Sequence, residues 1–195
     1  MSDMQWIHFF RCLLKAVSFL HRNGIYHRDL KPDNIMVEVK QDGGNMKYSP
    51  VIIDFGFVNT PVGHGGTPGF VAPEVFNANP AINATPTMGM MDIFALGCIL
   101  YQIKHKDWLP RFDRNPDEFK KEVNKVRLAN DEMSSLITGL LEDIPYRLSI
   151  KKALDHPWLN PSSKESDAAL LFFSPHKNRV AHSDTGSDDR PTEQD

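Results

Sequence analysis

Apolar residues recur at helical spacing from the start of the chain. Trp6, Phe9, Phe10, Leu13, Val17 and Leu20 mark one stripe, and Ile7, Leu14 and Phe19 add a second side. This predicts a helix buried on much of its circumference. Ser2 and Gln5 stand in a capping-box pattern at its start. Asn23-Gly24 supplies the stop. Two short strands are predicted at 35–39 and 51–53, with turn residues Gln41-Asp42-Gly43-Gly44-Asn45 between them. They pair as a hairpin. From 57 to 70 the chain is rich in Gly and Pro, has no period, and reads as loop. Met91, Ile93, Phe94, Leu96, Ile99 and Leu100 predict a helix over 90–103 that is apolar all round and therefore buried. A polar and aromatic loop at 104–116 leads into amphipathic helices at 116–128, 131–141 and 149–155, closed by His156-Pro157-Trp158. The pattern describes a mainly α fold of the α+β kind, helical with one small β hairpin.

Composition divides this chain of 195 residues in two. After Leu159 it turns rich in Ser, Asp, Lys and Pro, apart from the knot Leu170-Leu171-Phe172-Phe173. We therefore expect one domain over 1–160 and a disordered acidic tail over 161–195. Acids and bases balance up to Asn160, so the whole formal charge of −3 belongs to the tail. A balanced body gives no reason to expect a nucleic-acid partner. Cys12 and Cys98 sit in apolar helical contexts and read as small buried hydrophobes, which suits a reducing compartment. The eight histidines show no paired metal-ligand spacing. No apolar run approaches the roughly 20 residues of a membrane span, so no membrane association is expected. The first ten residues lack a basic segment and a cleavage site, so no secretory leader is expected. The cytoplasm is the expected location, with the nucleus as the alternative.

The chemistry concentrates in His27-Arg28-Asp29-Leu30-Lys31-Pro32-Asp33-Asn34, followed by Asp54-Phe55-Gly56 and then Ala72-Pro73-Glu74. HRD-to-Asn, DFG and APE in this order resemble the signature of the eukaryotic-type serine/threonine protein kinase family, in its C-terminal lobe. The resemblance covers about residues 3–159. It implies a protein-kinase-like C-terminal lobe, with ATP and Mg²⁺ as cofactors and a protein as substrate. By the same resemblance Asp29 is the catalytic carboxylate that orients the acceptor hydroxyl and takes its proton. Lys31 is the cation beside the transferred phosphoryl group and argues for Ser/Thr specificity. Asn34 and Asp54 are the two magnesium ligands, and with Lys31 they handle the nucleotide phosphates. Thr67, in Gly66-Thr67-Pro68-Gly69-Phe70, bonds the catalytic Asp and Lys. Glu74 resembles the partner of a buried arginine that Arg147 matches. Asp92 matches the residue that anchors the HRD backbone, with Phe94 where the family has Trp. Thr60 is a candidate phosphosite, since Gly63 stands where many relatives carry a phosphorylated Thr. Gln102 stands where basic-directed kinases have Glu. The GTPGFVAPE and HPW motifs lean toward the calcium/calmodulin-regulated group.

The family also has an N-terminal lobe with a Gly-rich phosphate-covering loop, a strand lysine and its glutamate partner. These residues contain none of them. The expectation is a kinase fragment lacking the N-lobe, inactive by itself. Its exposed apolar upper face would be where that lobe or a regulatory partner sits. The alternative is a non-catalytic kinase-like scaffold or binding module.

Overall fold

The computed structural model describes residues 1–58, 66–76 and 85–161. The expected tail, the apolar knot at 170–173, Thr60 and Gly63 lie outside the described residues. Helix α1 (Asp3–Arg22) forms over the predicted stripe. Its capping box is complete: Ser2 N donates to Gln5 Oε1 at 2.7 Å, and Gln5 N donates to Ser2 Oγ at 3.3 Å. Gly24 N donates back to His21 O at 3.0 Å and closes the last turn.

The hairpin is longer than the pattern suggests. Strand β1 (Ile35–Asp42) pairs antiparallel with β2 (Asn45–Ile52), so the connection shrinks to Gly43-Gly44. Both glycines have positive φ, +53° and +88°, as a tight two-residue turn matched to strand twist requires. Pro50 and the polar run Lys40-Gln41 hide the extension in sequence. Asp42–Asn45 next to the turn is a hydrogen-bonded pair, and pairs then alternate. Pro50, opposite Val37, therefore falls at a non-bonded position, where its missing N–H costs the ladder nothing.

Helix α2 (Thr85–His105) is the central element. Residues 91–101 are all buried, so no side of this stretch meets water. It runs past the predicted 90–103 at both ends. Those ends, Thr85–Gly89 and Lys104-His105, carry no apolar period. Helix α3 spans Pro116–Leu128, α4 Glu132–Leu141 and α5 Ile150–Leu154. Asn115, Asp131 and Ser149 cap them, each accepting from the backbone N–H three residues on. Pro157–Leu159 adds a short 3-10 turn that sinks Leu159 into the core. Helix α2 packs on α4, α3 on α4, α5 on α1, and β2 lies against α1. The hairpin thus stands on a helical platform. Cys98 is buried, and burial raises its thiol well above its ordinary pKa. Both cysteines are free; Cys98 is buried as read, whereas Cys12 is only half-buried. Among the described residues no helix is long and apolar enough to cross a membrane.

Candidate active site

Between β1 and α1 the chain turns through His27-Arg28-Asp29 and a single 3-10 turn, Pro32–Asn34. Asp29 is buried and its carboxylate is the hub of the site. Thr67 donates to Oδ1 twice, from its backbone N at 2.7 Å and from Oγ1 at 2.8 Å. Lys31 Nζ lies 3.2 Å from Oδ2 and donates to Thr67 Oγ1 at 2.7 Å. Asn34 Nδ2 donates to Asp29 O at 2.8 Å and to Oδ2 at 3.2 Å. Four expected site residues therefore meet in one hydrogen-bonded group. Thr67 reaches it because Gly66 turns with φ +99°. A Cβ there would approach Val71 Cγ2 to 2.8 Å and Arg28 O to 3.3 Å.

Asp54 lies outside that group. It is exposed, has φ +61°, and accepts only from Gly56 N, at 3.3 Å, among the described residues. Two bonds tie its strand end to the loop. Ile53 N donates to Asn34 O at 3.0 Å, and the buried His27 ring bonds Ile53 O through Nε2 at 2.9 Å. Asn34 and Asp54 are thus fixed on adjacent strand ends.

The loop is held from below by Asp92 of α2, which is almost wholly buried. Its Oδ2 accepts from His27 N at 2.9 Å and its Oδ1 from Arg28 N at 2.7 Å. Arg28 has φ +63°, a conformation that costs a bulky residue of order 1–3 kcal/mol unless its surroundings enforce it. The two bonds from Asp92 enforce it. Burial lowers the Arg28 pKa from its ordinary value, and the Asp92 charge pulls it back up. Replacing Asp92 with Ala is expected to cost about 2–3 kcal/mol, because two backbone N–H groups lose a buried acceptor. Amide hydrogen exchange at His27 and Arg28 should speed up more than exchange in α4. Uniform acceleration would mean that Asp92 acts only on global stability.

Glu74 and Arg147 meet as expected. Nη1 donates to Oε1 at 2.6 Å and Nη2 to Oε2 at 2.9 Å. Arg147 also donates to Glu142 O and Met90 O, and its Cζ sits 5.1 Å from the Phe94 ring centroid. The pair pins the segment after Thr67 to the platform.

Sequence reasoning missed His21. Its Nε2 lies 2.8 Å from Asp92 Oδ2, a third partner for the anchor. The two are 71 residues apart, so no local pattern joins them. It also missed the exposed cross-strand pair Met36 and Val51, 58% and 43% accessible. The period-2 pattern shows that they share a face, but not that nothing covers it.

A central helix that anchors an Asp-Lys-Asn loop, with a threonine bonded to the Asp and the order HRD, DFG, APE along the chain, is the motif set of the protein kinases. The protein kinase domain family model matches residues 1–159, and the chain belongs to that family. It is 30% identical over 197 residues to CBL-interacting protein kinase 5 of Oryza sativa subsp. japonica, covering 87% of this chain and 40% of that protein. It is 31% identical to the smooth-muscle myosin light chain kinase of Gallus gallus, over 88% of this chain and 9% of the other. Among solved structures it resembles the Rad53 kinase domain with SCD2 in complex with AMPPNP. The TM-score is 0.59 and the identity 26%, over 87% of this chain and 64% of that one. The chain thus spans less than half the length of these curated relatives.

The family uses ATP and Mg²⁺ generally. The residues here fit the metal. Asn34 spends its Nδ2 on Asp29, and its Oδ1 takes no donor among the described residues. Asp54 keeps an exposed carboxylate beside it. Two hard oxygens suit Mg²⁺, which keeps waters and phosphate oxygens for its other positions.

Proposed function

We propose that residues 1–160 are the C-terminal lobe of a serine/threonine protein kinase domain, with 161–195 an appended acidic tail. It acts on a protein Ser or Thr hydroxyl with ATP, and bound Mg²⁺ neutralises phosphate charge at Asn34 and Asp54. The observation that carries this reading is the convergence of Thr67, Lys31 and Asn34 on Asp29. An ionised carboxylate has about four acceptor sites, and here each oxygen takes two donors. The two contacts to Oδ2 are the longer ones, both 3.2 Å. The acceptor hydroxyl therefore enters at Oδ2. Its oxygen bonds the γ-phosphorus as the bond to the ADP oxygen breaks, and its proton passes to Asp29. Lys31 stays on Thr67 Oγ1 and faces the charge that develops on the phosphoryl oxygens.

Met36 and Val51 offer an apolar shelf for a flat base next to the phosphate-handling oxygens of Asn34 and Asp54. The family's phosphate-covering loop and strand lysine are not among these 195 residues. Met36 and Val51 are exposed on one face of the hairpin and Val37, Val39 and Met46 on the other, and the face of Met36 and Val51 suits the docking of a nucleotide-covering lobe or a regulatory partner. The 195-residue chain alone should bind Mg²⁺–ATP weakly and transfer no phosphate. Joined to the nucleotide-covering lobe of a kinase relative, it should phosphorylate a Ser/Thr peptide in a Mg²⁺-dependent way. A folded, nucleotide-binding fusion without transfer would leave the scaffold reading instead. Transfer by the isolated chain, removed by Asp29→Asn, would overturn the assignment of a missing half.

A further inference from the structure

The hairpin has one covered edge and one open edge. Strand β2 lies against α1. Gln5 of α1 closes that side, donating from Nε2 to Met46 O at 3.2 Å. Among the described residues, β1 has β2 as its only ladder neighbour. Pairing in the hairpin alternates from the bonded pair Asp42–Asn45, so Met36, Glu38 and Lys40 spend their backbone groups on β2. Val37, Val39 and Gln41 point theirs the other way, where among the described residues none of them finds a partner. An unpaired strand edge is a template for another strand. Proline blunts such edges, but the hairpin's Pro50 is on β2, not β1. Val37 and Val39 are each 47% exposed. The charges of the edge, Glu38 and Lys40, lie on one face and pair with each other at 3.1 Å, both exposed. Such a pair contributes little, so little is lost when its members take other partners.

We infer that β1 is a pairing edge for a second copy of this chain, joined antiparallel about a two-fold axis at Val39. The occupant follows from charge. With the axis at Val39, Glu38 of each copy faces Lys40 of the other. These are non-bonded pairs, where side chains stand closest and Cα atoms are about 4.5 Å apart. Val39 then faces its own copy, and Val37 faces Gln41. Those are bonded pairs, and their outward N–H and C=O groups are the ones left open in the single chain. Moving the axis by one residue sets like against like, glutamate on glutamate at Glu38 or lysine on lysine at Lys40, which is destabilising. The strand is thus self-complementary in one register. In that register the turn Gly43-Gly44 of one copy passes Ile35 of the other and brings no side chain against it. The product is a four-stranded sheet with β2 at each outer edge, covered by its own α1. No open edge remains, so assembly stops at the dimer. The contact is one short strand wide, well under the roughly 800 Å² per partner of a standard interface, so association is weak. The pairing uses the edge and leaves the Met36–Val51 face uncovered, so it stands apart from the kinase reading.

The test is sedimentation equilibrium of the full chain at low salt, from about 10 μM to about 1 mM, the range in which so small an interface dissociates. The mass should rise from monomer to dimer and go no further. Glu38→Lys and Lys40→Glu should each raise the dissociation constant roughly tenfold, since each sets two like-charged pairs across the axis. Both side chains are exposed, so the melting temperature should not change. An equimolar mixture of the two variants should dimerise like the parent, because each then faces the opposite charge on the other. Val39→Pro should abolish the dimer, since the Val39 N–H points away from β2 and serves only the second copy. A chain that stays monomeric throughout, a dimer indifferent to both charge variants, or variants that do not recover on mixing would overturn the pairing. A dimer kept in Val39→Pro and lost in Met36→Ser would put the contact on the apolar face and overturn it equally.

Discussion

In a completed domain, Asp29→Asn is expected to lower phosphoryl transfer by roughly 10²–10⁴, the usual weight of a positioned general base. The substitution keeps the shape of the side chain and removes its charge and basicity. One amide oxygen can still accept from Thr67 N and Oγ1, which lie 2.7 and 2.8 Å from Oδ1. The other position becomes an NH₂ group facing two donors, Lys31 Nζ and Asn34 Nδ2, each now 3.2 Å from Oδ2. Donor against donor pushes Lys31 away, so base and cation are disturbed together. Mg²⁺–ATP affinity should change little, because Asn34 Oδ1 and Asp54 are left in place. Thr67→Ser should retain most activity and Thr67→Val lose much of it, since the hydroxyl accepts from Lys31 Nζ and donates to Asp29 Oδ1, bridging the two. An Asp29→Asn enzyme within a few fold of the parent rate would show that the carboxylate is no more than a structural hub.

Removing Glu74 should produce the largest loss of stability. Breaking a buried ion pair by deleting one partner costs about 3–5 kcal/mol. The Arg147 side chain is fully buried and its Nη atoms hold both carboxylate oxygens. In Glu74→Ala the guanidinium keeps Glu142 O and Met90 O but loses its counter-charge. Domains of this size hold only about 5–15 kcal/mol in total. The urea midpoint should therefore fall by roughly 2 M, at a slope of about 2 kcal/mol/M. The double variant Glu74→Gln with Arg147→Met should lose less than the sum of the single changes, because no uncompensated charge is left. Strict additivity in that cycle would mean that the pair contributes nothing as a pair.

Much of the fold was legible in the sequence. The stripe from Trp6 to Leu20 and the all-round apolar run from Met91 to Leu100 fix α1 and α2, because helical periodicity is a local property of side-chain spacing. The caps Ser2 and Ser149 were equally local, each acting within three residues; Asn115 and Asp131 cap in the same way but were not read as caps, and Asp131 was placed inside its helix. The hairpin was read too short. Pro50 and Lys40-Gln41 look like strand breakers until the register shows Pro50 at a non-bonded position.

The candidate site divides along the same line. The sequence by itself nominated the residues proposed to carry the chemistry: Asp29, Lys31, Asn34, Asp54 and Thr67 are named by motif order and residue type. Tertiary structure decided how they are held. Thr67 lies 38 residues from Asp29, Asp92 lies 64 from Arg28, and Arg147 lies 73 from Glu74. No pattern confined to neighbouring residues sets those contacts. They depend on where α2 passes beneath the loop and on which carboxylate a buried donor finds. His21 on Asp92 and Trp108 on Phe70 belong to the same class, with no local signature. Periodicity reports which side of an element is apolar. What lies opposite that side, and whether anything covers it, is fixed only when the whole lobe packs.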